Sequence, residues 1–230
     1  MKKDVAKELP DLIEQEVLLD LSPQQKTEYT QIYENRENYD SMFEVLNDLK
    51  QVCNFSNKNK TSSKLEMLEL IIEEVYENKG KILVFSQYVE TLLEIEKKLK
   101  FQNVNIFHGG LNQDEKNNII ENFKNIDEPS TILISIKAGS VGLNLQEAST
   151  VVLFDRWWNP AIENQAIGRA HRIGSKEPVT AYKFLVKDTV EQKLDAILKS
   201  KQQLFDEIID EQEAVSQKIN LREILDLETF

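Results

Sequence analysis

The sequence predicts an α/β fold in which helices cover both faces of a parallel β-sheet. Three observations lead to this class. Between residues 81 and 185, five short apolar runs rich in β-branched residues alternate with amphipathic helical patterns. These runs are apolar on both faces, which is typical of strands in a parallel sheet. A chain of 230 residues, 40% of them apolar, is long enough for one well-buried core with an appendage.

The first 60 residues are predicted to form a leading strand, a helical protrusion and a linker. Residues 14–21 partly alternate like a strand. Ser22 and Gln25 have the spacing of a capping box, which predicts a helix that ends near residue 35. Apolar spacing predicts a second helix over 39–52, and the polar, turn-rich run 54–63 is the predicted linker.

Residues 61–187 are predicted to form the sheet domain, and residues 188–230 a helical brace and tail. Ser63 and Glu66 predict a capping box for the first helix, which Gly80 closes with a left-handed cap. Asn112 and Glu115 predict a second capping box. The predicted strands are 81–85, 104–107, 131–136, 150–154 and 179–185, and the predicted helices are 87–100, 113–124 and 160–173, with a short turn after Gly139.

Charge and composition exclude several classes of protein. The formal charge of −12 argues against a general nucleic-acid-binding surface, but basic residues outnumber acids between 165 and 201, so any DNA contact should be local. Cys53 is the only cysteine, which excludes an internal disulfide, and two distant histidines do not make a zinc site; we predict no metal site. The sequence has neither a long apolar run nor an apolar leader, so we predict no membrane association.

The run TVVLFDRWWNPAIENQAIGRAHRIGS, residues 150–175, contains the strongest candidate site. Asn159 as N-cap and Pro160 at the first position predict a helix to residue 173, closed by Gly174. Gln165, Arg169 and Arg172 then share one face, so two guanidinium groups can converge on one anion such as a phosphate. The alternative interpretation is that these arginines form surface ion pairs, as an isolated pair usually does.

Two further runs end predicted strands with polar or glycine-rich turns. In ILISIKAGSVGLNL, residues 132–145, Lys137 and the glycines after it would let backbone N–H groups approach a phosphate, although such a run is often only a turn. In KILVFSQY, residues 81–88, Ser86 and Gln87 are expected to be exposed at the carboxyl edge of the sheet; a helix N-cap is the other interpretation of Ser86. Of the adjacent Trp157 and Trp158, one is expected in the core and the other presented.

In this order and spacing, these runs resemble the last motifs of the Swi/Snf-type ATPases, a helicase-like family of superfamily two. That family has W-W-N-P followed by Q-A-x-x-R-A-H-R-I-G-Q, and also S-[LT]-[KR]-A-G-G-x-G-L-N-L and F-S-Q-[FY]. LKQVCNFS, before the linker, is similar to the family's L-R-Q-I-C-N-H-P. Departures from these motifs include Ser140 for Gly, Arg156 for Pro, Gly168 for Asp and Ser175 for Gln, and Phe55 and Ser56 replace the final His-Pro.

The resemblance implies the second RecA-like lobe of a DNA-stimulated ATPase. ATP and Mg²⁺ would be held mainly by a first lobe, because this sequence has no G-x-x-x-x-G-K-[ST] run and no Asp-Glu box. Arg169 and Arg172 would then be arginine fingers that Gln165 orients, with Gly142 and Asn144 in the nucleotide cleft. The residues implied to contact DNA are Ser86, Lys137, Ala138, Gly139, Trp158 and Asn159, with Arg156 as an added cation.

The implied partners are double-stranded DNA and the first lobe of the same parent protein, and the chain is expected to be monomeric. We expect Met1 to begin a truncated product that does not hydrolyse ATP alone. The location would be the cytoplasm with the nucleoid if the parent is bacterial, and the nucleus if it is eukaryotic. Two other interpretations remain: a non-catalytic module that binds a protein through its acidic helices, and a stand-alone flavodoxin-like enzyme, for which we find no phosphate site.

Overall fold

We describe the protein from a computed structural model, which covers residues 9–139, 142–175 and 177–208. Ser140 and the tail beyond residue 208 lie outside the described residues. The chain divides into two compact units, one of residues up to 17 together with 63–184, the other of residues 18–62 together with 185 onwards. In the described ranges, no helix is long and apolar enough to cross a membrane.

A six-stranded parallel sheet confirms the predicted fold class. Its strands are β1 (Leu12–Leu19), β2 (Lys81–Ser86), β3 (Val104–Phe107), β4 (Ser130–Ser135), β5 (Thr150–Leu153) and β6 (Val179–Val186). Their order across the sheet is β1-β6-β5-β2-β4-β3. The central strand, β2, pairs in parallel with β4 on one side and β5 on the other. β4 is buried along its whole length, as is β5, because helices cover both faces.

Helices of the first unit connect these strands. They are α3 (Ser63–Glu77), α4 (Val89–Lys98), α5 (Gln113–Asn125), the short α6 (Ile136–Gly139) and α7 (Pro160–Ile167). The predicted capping box of Asn112 and Glu115 is confirmed. The prediction for α3 is wrong at both ends, because Ser63 is its first residue and Lys79, not Gly80, adopts the left-handed conformation after it, with φ 56°.

The second unit contains α1 (Pro23–Glu34), α2 (Met42–Asn54) and α8 (Val190–Ile208). Ser22 and Gln25 form the predicted capping box. The side chain of Gln25 also donates to the carbonyl of Val52 at 2.8 Å, so this buried amide joins α1 to α2. Glu28 accepts hydrogen bonds from the backbone of Asn57 and Lys58. Burial alone raises the pKa of Glu28, but the hydrogen bonds it accepts outweigh burial and lower the pKa.

Candidate functional site

Ser86 and Asp155 form a buried contact at the carboxyl edge of the sheet. The Ser86 hydroxyl donates to Asp155, the backbone N–H of Gln87 donates to the same carboxylate at 3.1 Å, and both side chains are 0% exposed. The contact holds the end of β2 against the end of β5. The expected exposure of Ser86 is therefore wrong. Its N-cap interpretation is correct only in part, since its oxygen accepts from the N–H of Tyr88, one residue before α4.

Arg156, in the loop after β5, forms a buried ion pair with Glu163 on α7. Arg156 Nε lies 2.9 Å from Glu163 Oε1 and Nη2 lies 3.1 Å from Oε2, with the two residues 5% and 1% exposed. Glu163 Oε1 also accepts from the backbone N–H of Trp157 at 2.8 Å. The expectation that Arg156 adds a cation near the DNA contact of Trp158 is therefore wrong, because its guanidinium group is buried, paired with Glu163, and holds the loop to α7. Glu163 is not among the predicted site residues, although its charge is opposite to that of Arg156, seven residues away, which was a usable signal.

The same loop presents Trp158 and Asn159. Trp157 packs against the hydrophobic core of its unit, whereas Trp158 is half-buried. Asn159 is exposed and its side-chain oxygen accepts from the N–H of Ala161 at 3.0 Å, so it caps α7 as predicted, and Pro160 is the first helical residue.

The helix that begins at Pro160 ends six residues earlier than predicted. α7 stops at Ile167, and Gly168 is its C-cap. The following residues form turns in which the N–H groups of Arg169 and Ala170 bond the carbonyls three residues back, Ala166 and Ile167, at 3.1 Å. The prediction that Gln165, Arg169 and Arg172 share one helical stripe is therefore wrong. We call residues 168–175 the arginine loop.

The two arginines of this loop are three residues apart and differ in their exposure to solvent. Arg169 is half-buried, and its Nη1 donates to the carbonyl of Leu143 at 3.3 Å. Burial lowers the pKa of Arg169, and the nearby charge of Arg172 lowers it further. Within the described part of the chain, the buried Nε of Arg169 has no hydrogen-bond partner. Arg172 is exposed, as is Gln165 on α7, so the group is accessible to an anion.

Leu143 and Leu145 bond the arginine loop to a second segment of the chain. The N–H of Leu145 donates to the carbonyl of Arg169 at 3.0 Å. Gly142 has φ +38°, a conformation that favours glycine, and both it and Asn144 are exposed beside the two leucines that bond Arg169. The structure thus places both predicted nucleotide-cleft residues next to the arginine loop.

A cavity of about 600 Å³ opens at the carboxyl ends of β3 and β4. Its lining includes two lysines, Lys116 and Lys137, and contains no carboxylate among the described residues. Lys137 is exposed, whereas Ala138, beside it in α6, is buried. The lining also includes His108 at the end of β3. In a chain of charge −12, a cavity bounded by lysines and no acid is suited to an anion. Lys116 and His108 are not among the predicted site residues.

Comparisons with known proteins identify the family. Residues 63–174 match the family described as the helicase conserved C-terminal domain. An ATP-dependent helicase of Mycoplasma pneumoniae is 33% identical over 98% of this chain and 23% of its own length. The solved C-terminal domain of the Sulfolobus solfataricus SWI2/SNF2 ATPase is 29% identical, with a TM-score of 0.71 over 95% of this chain and 100% of that one. This chain belongs to the C-terminal lobes of the Swi2/Snf2-type ATPases.

The Swi2/Snf2 lobe spans about a quarter of the length of the relatives it matches. The Sulfolobus SWI2/SNF2 ATPase core, solved in complex with dsDNA, is 32% identical and has a TM-score of 0.72 over 90% of this lobe and 48% of that chain. The flavodoxin-like interpretation is wrong, because both the family match and these structures are of the helicase type.

The donor groups of this Swi2/Snf2 lobe fit a phosphate better than a metal ion. Arginine forks and backbone N–H groups bind phosphate oxygens, whereas Mg²⁺ requires oxygen ligands. In the described ranges, no group of three or more His, Cys, Asp or Glu side chains could hold a metal ion. Asp155 and Glu163, the buried carboxylates nearest to the arginine loop in sequence, are engaged with other side chains.

Proposed function

We propose that this lobe is the second half of a DNA-dependent ATPase that translocates on double-stranded DNA. The observation that carries the proposal is the arginine loop, in which Arg169 is bonded to the carbonyl of Leu143 and Arg172, three residues later, is exposed. Among the described residues the buried Nε of Arg169 has no hydrogen-bond partner, so a bound anion would satisfy it and offset the positive charge. A triphosphate bound by a first lobe of the parent protein would supply that anion.

The arginine pair would act on the γ-phosphate. In hydrolysis, water attacks the γ-phosphorus, the bond to the bridging oxygen breaks, and negative charge develops on the oxygens of the transferring group. Mg²⁺, held mainly by the first lobe, would offset part of that charge. Arg172, which is exposed, would contact the γ-phosphate, and Arg169, fixed by Leu143, would support it from behind. Gln165, exposed on α7, would orient the arginines or the nucleotide, and Gly142 and Asn144 would line the cleft.

The cavity that Lys116 and Lys137 line would receive a DNA backbone phosphate. Lysines neutralise phosphates without reading sequence, which suits a motor that moves along DNA. Backbone groups of Ala138 and Gly139 would approach the same phosphate. The complex of the Sulfolobus relative with dsDNA supports duplex DNA as the ligand.

The other predicted DNA contacts differ in whether their side chains are exposed to solvent. Trp158 and Asn159 lie in one loop and have exposed surface for a second contact. Ser86 has no exposed surface, so we assign it to holding the strand ends rather than to touching DNA.

Leu143 would connect the two ligands. It lines the cavity together with Lys137, and its carbonyl accepts a hydrogen bond from Arg169. A displacement of Leu143 by DNA would therefore be passed to the arginine loop through that hydrogen bond. This arrangement would make hydrolysis depend on DNA.

The test is ATP hydrolysis by the parent protein with both lobes present. Arginine fingers contribute a factor of about 10³ to 10⁵ to the rate in GTPases. We therefore expect Arg172→Ala to lower kcat by a factor of at least ~100 at saturating DNA, while ATP binding is retained. Arg36→Ala, which removes an arginine that stacks on Tyr33 in the other unit, is the matched control and should keep the wild-type rate. Wild-type turnover in Arg172→Ala would refute the proposal and favour a non-catalytic interaction module.

This lobe alone should show no DNA-dependent hydrolysis, because the nucleotide would be held elsewhere. Adding the first lobe in trans should restore it. We expect the parent to act as a monomer, which sedimentation of the DNA-bound protein would check.

A further inference from the structure

His171 connects the arginine loop to the N-terminal segment of the chain. Its Nε2 lies 2.7 Å from the carbonyl oxygen of Pro10, a residue 161 positions away. A carbonyl oxygen can only accept a hydrogen bond, so Nε2 carries the proton and donates. Both residues are half-buried, and both belong to the first unit.

The acceptor is fixed by the sheet. The carbonyl of Asp11, the next residue, accepts from the N–H of Val179 at 2.9 Å, and β1 begins at Leu12. Pro10 therefore lies where the chain joins the edge of a rigid sheet. A hydrogen bond to its carbonyl restricts the position of the donor loop.

The donor lies between the two arginines. The backbone N–H of His171 bonds the carbonyl of Ile167 at 3.0 Å, and beyond Arg172 the hydroxyl of Ser175 donates to the carbonyl of Ala170 at 2.6 Å. Arg169 is bonded to the segment before Leu145, but Arg172 is exposed and makes no side-chain hydrogen bond within the described residues. The Ser175 hydroxyl also accepts from the backbone N–H of Arg172 at 3.2 Å, but both of its bonds stay within the loop. The His171 side chain is the one that ties this half of the loop to a distant segment.

We propose that His171 is a positioning residue for Arg172, which it holds by docking the arginine loop on the segment that precedes β1. The inference rests on the proposed function. If a first lobe precedes this one, its connection to the sheet passes through Pro10, so a change in that connection would reach the arginine through a single hydrogen bond. His171 itself touches neither nucleotide nor DNA in this scheme.

A first experiment uses this chain alone. His171→Leu keeps side-chain bulk but removes the donor, whereas His171→Gln places an amide N–H near the position of Nε2. We expect His171→Leu to speed amide hydrogen exchange of residues 169–173 about tenfold and His171→Gln to restore most of the protection. Tyr76→Phe is the control, since it removes a 2.8 Å hydrogen bond to the Gln102 carbonyl elsewhere in the same unit. Unchanged exchange in His171→Leu would overturn the inference.

A second experiment measures ATP hydrolysis by the two-lobe parent at saturating DNA. We expect His171→Leu to lower kcat roughly three- to tenfold, with KM for ATP changed less than about twofold, because a mispositioned arginine affects the transition state and not ATP binding. His171→Gln should recover at least about half of the lost rate, whereas Tyr76→Phe should keep the full rate. Equal defects in the Leu and Gln variants, or a change confined to KM, would contradict the inference.

Arg172→Ala, assayed beside these variants, separates the two proposals. A slow Arg172→Ala with a fully active His171→Leu overturns the inference and leaves the proposed function intact. A fully active Arg172→Ala overturns the proposed function, and with it the role of His171 in catalysis.

Discussion

The ion pair between Arg156 and Glu163 permits a quantitative test of how the lobe holds the loop that contains Trp157 and Trp158. Glu163→Gln keeps the shape of the side chain but removes the charge that faces Arg156. The Gln oxygen can still accept from the N–H of Trp157, which Glu163 Oε1 does now at 2.8 Å. Its amide N–H₂, however, then faces the guanidinium donors, so the bidentate contact is lost.

The structure sets the size of the effect. The two side chains of the pair are 6% and 2% exposed, so solvent replaces little of the lost interaction. Breaking a buried ion pair from one side costs about 3–5 kcal/mol. Arg156 has further contacts and the Gln retains one hydrogen bond, so we expect a loss near the lower limit, about 3 kcal/mol. Because domains are stable by about 5–15 kcal/mol, such a loss would be large.

The assay is urea unfolding of the chain followed by tryptophan fluorescence, which reports on this loop because Trp157 and Trp158 are the only tryptophans. The control is Asp20→Asn, which removes an exposed pair with Lys187 at 3.4 Å and should cost less than about 1 kcal/mol. Arg156→Met combined with Glu163→Gln should recover about 2 kcal/mol of the loss, because no charge is then buried. If Glu163→Gln costs less than about 1 kcal/mol, or if the double variant is less stable than the single one, the reasoning is wrong.

Two further predictions follow from charge. Lys116→Gln and Lys137→Gln should each weaken duplex binding by the parent and reduce the slope of log K against log salt concentration by about 0.9. Lys97→Gln, outside the cavity, should change neither quantity. An unchanged slope in both cavity variants would exclude this DNA site. Burial raises the pKa of Glu28, but the hydrogen bonds it accepts lower it overall, so its contribution to stability is present above its unfolded pKa and is lost as pH falls through the folded value. The unfolding free energy should therefore fall less on acidification in Glu28→Gln than in wild type; parallel curves would contradict this.

The sheet was predictable because its strands are defined by local pattern. The predicted strand 150–154 and the observed β5, Thr150–Leu153, agree within one residue. A short, continuous apolar run between turns is typical of a buried strand in an α/β chain. The capping boxes of α1 and α5 were predictable for a similar reason. A capping box satisfies N–H groups within four residues, so the sequence contains both partners in one short window.

The arginine loop was not predictable in the same way. The pattern from Pro160 to Gly174 is compatible with one continuous helix, and the structure ends it at Ile167. Beyond that point the backbone forms bonds to distant residues, with Leu145 donating to the carbonyl of Arg169 at 3.0 Å. A carbonyl that accepts from another segment need not be satisfied by a helical bond, so tertiary contacts override local propensity here. Likewise, the burial of Ser86 depends on a carboxylate 69 positions away.

Pairing of a buried carboxylate helps to explain how a chain of charge −12 can present cationic sites. Near the carboxyl edge of the sheet, Glu163 is neutralised by its ion pair with Arg156, whereas Asp155 is buried and accepts hydrogen bonds from Ser86 and Gln87. The side chains left exposed near that edge include Arg172 and Lys137. At low ionic strength the distant acids would still repel DNA, because screening is weak over their separation. Moderate salt should then reduce this repulsion before it weakens the local lysine contacts. We therefore expect DNA affinity to depend weakly on salt at low concentration and more steeply at higher concentration.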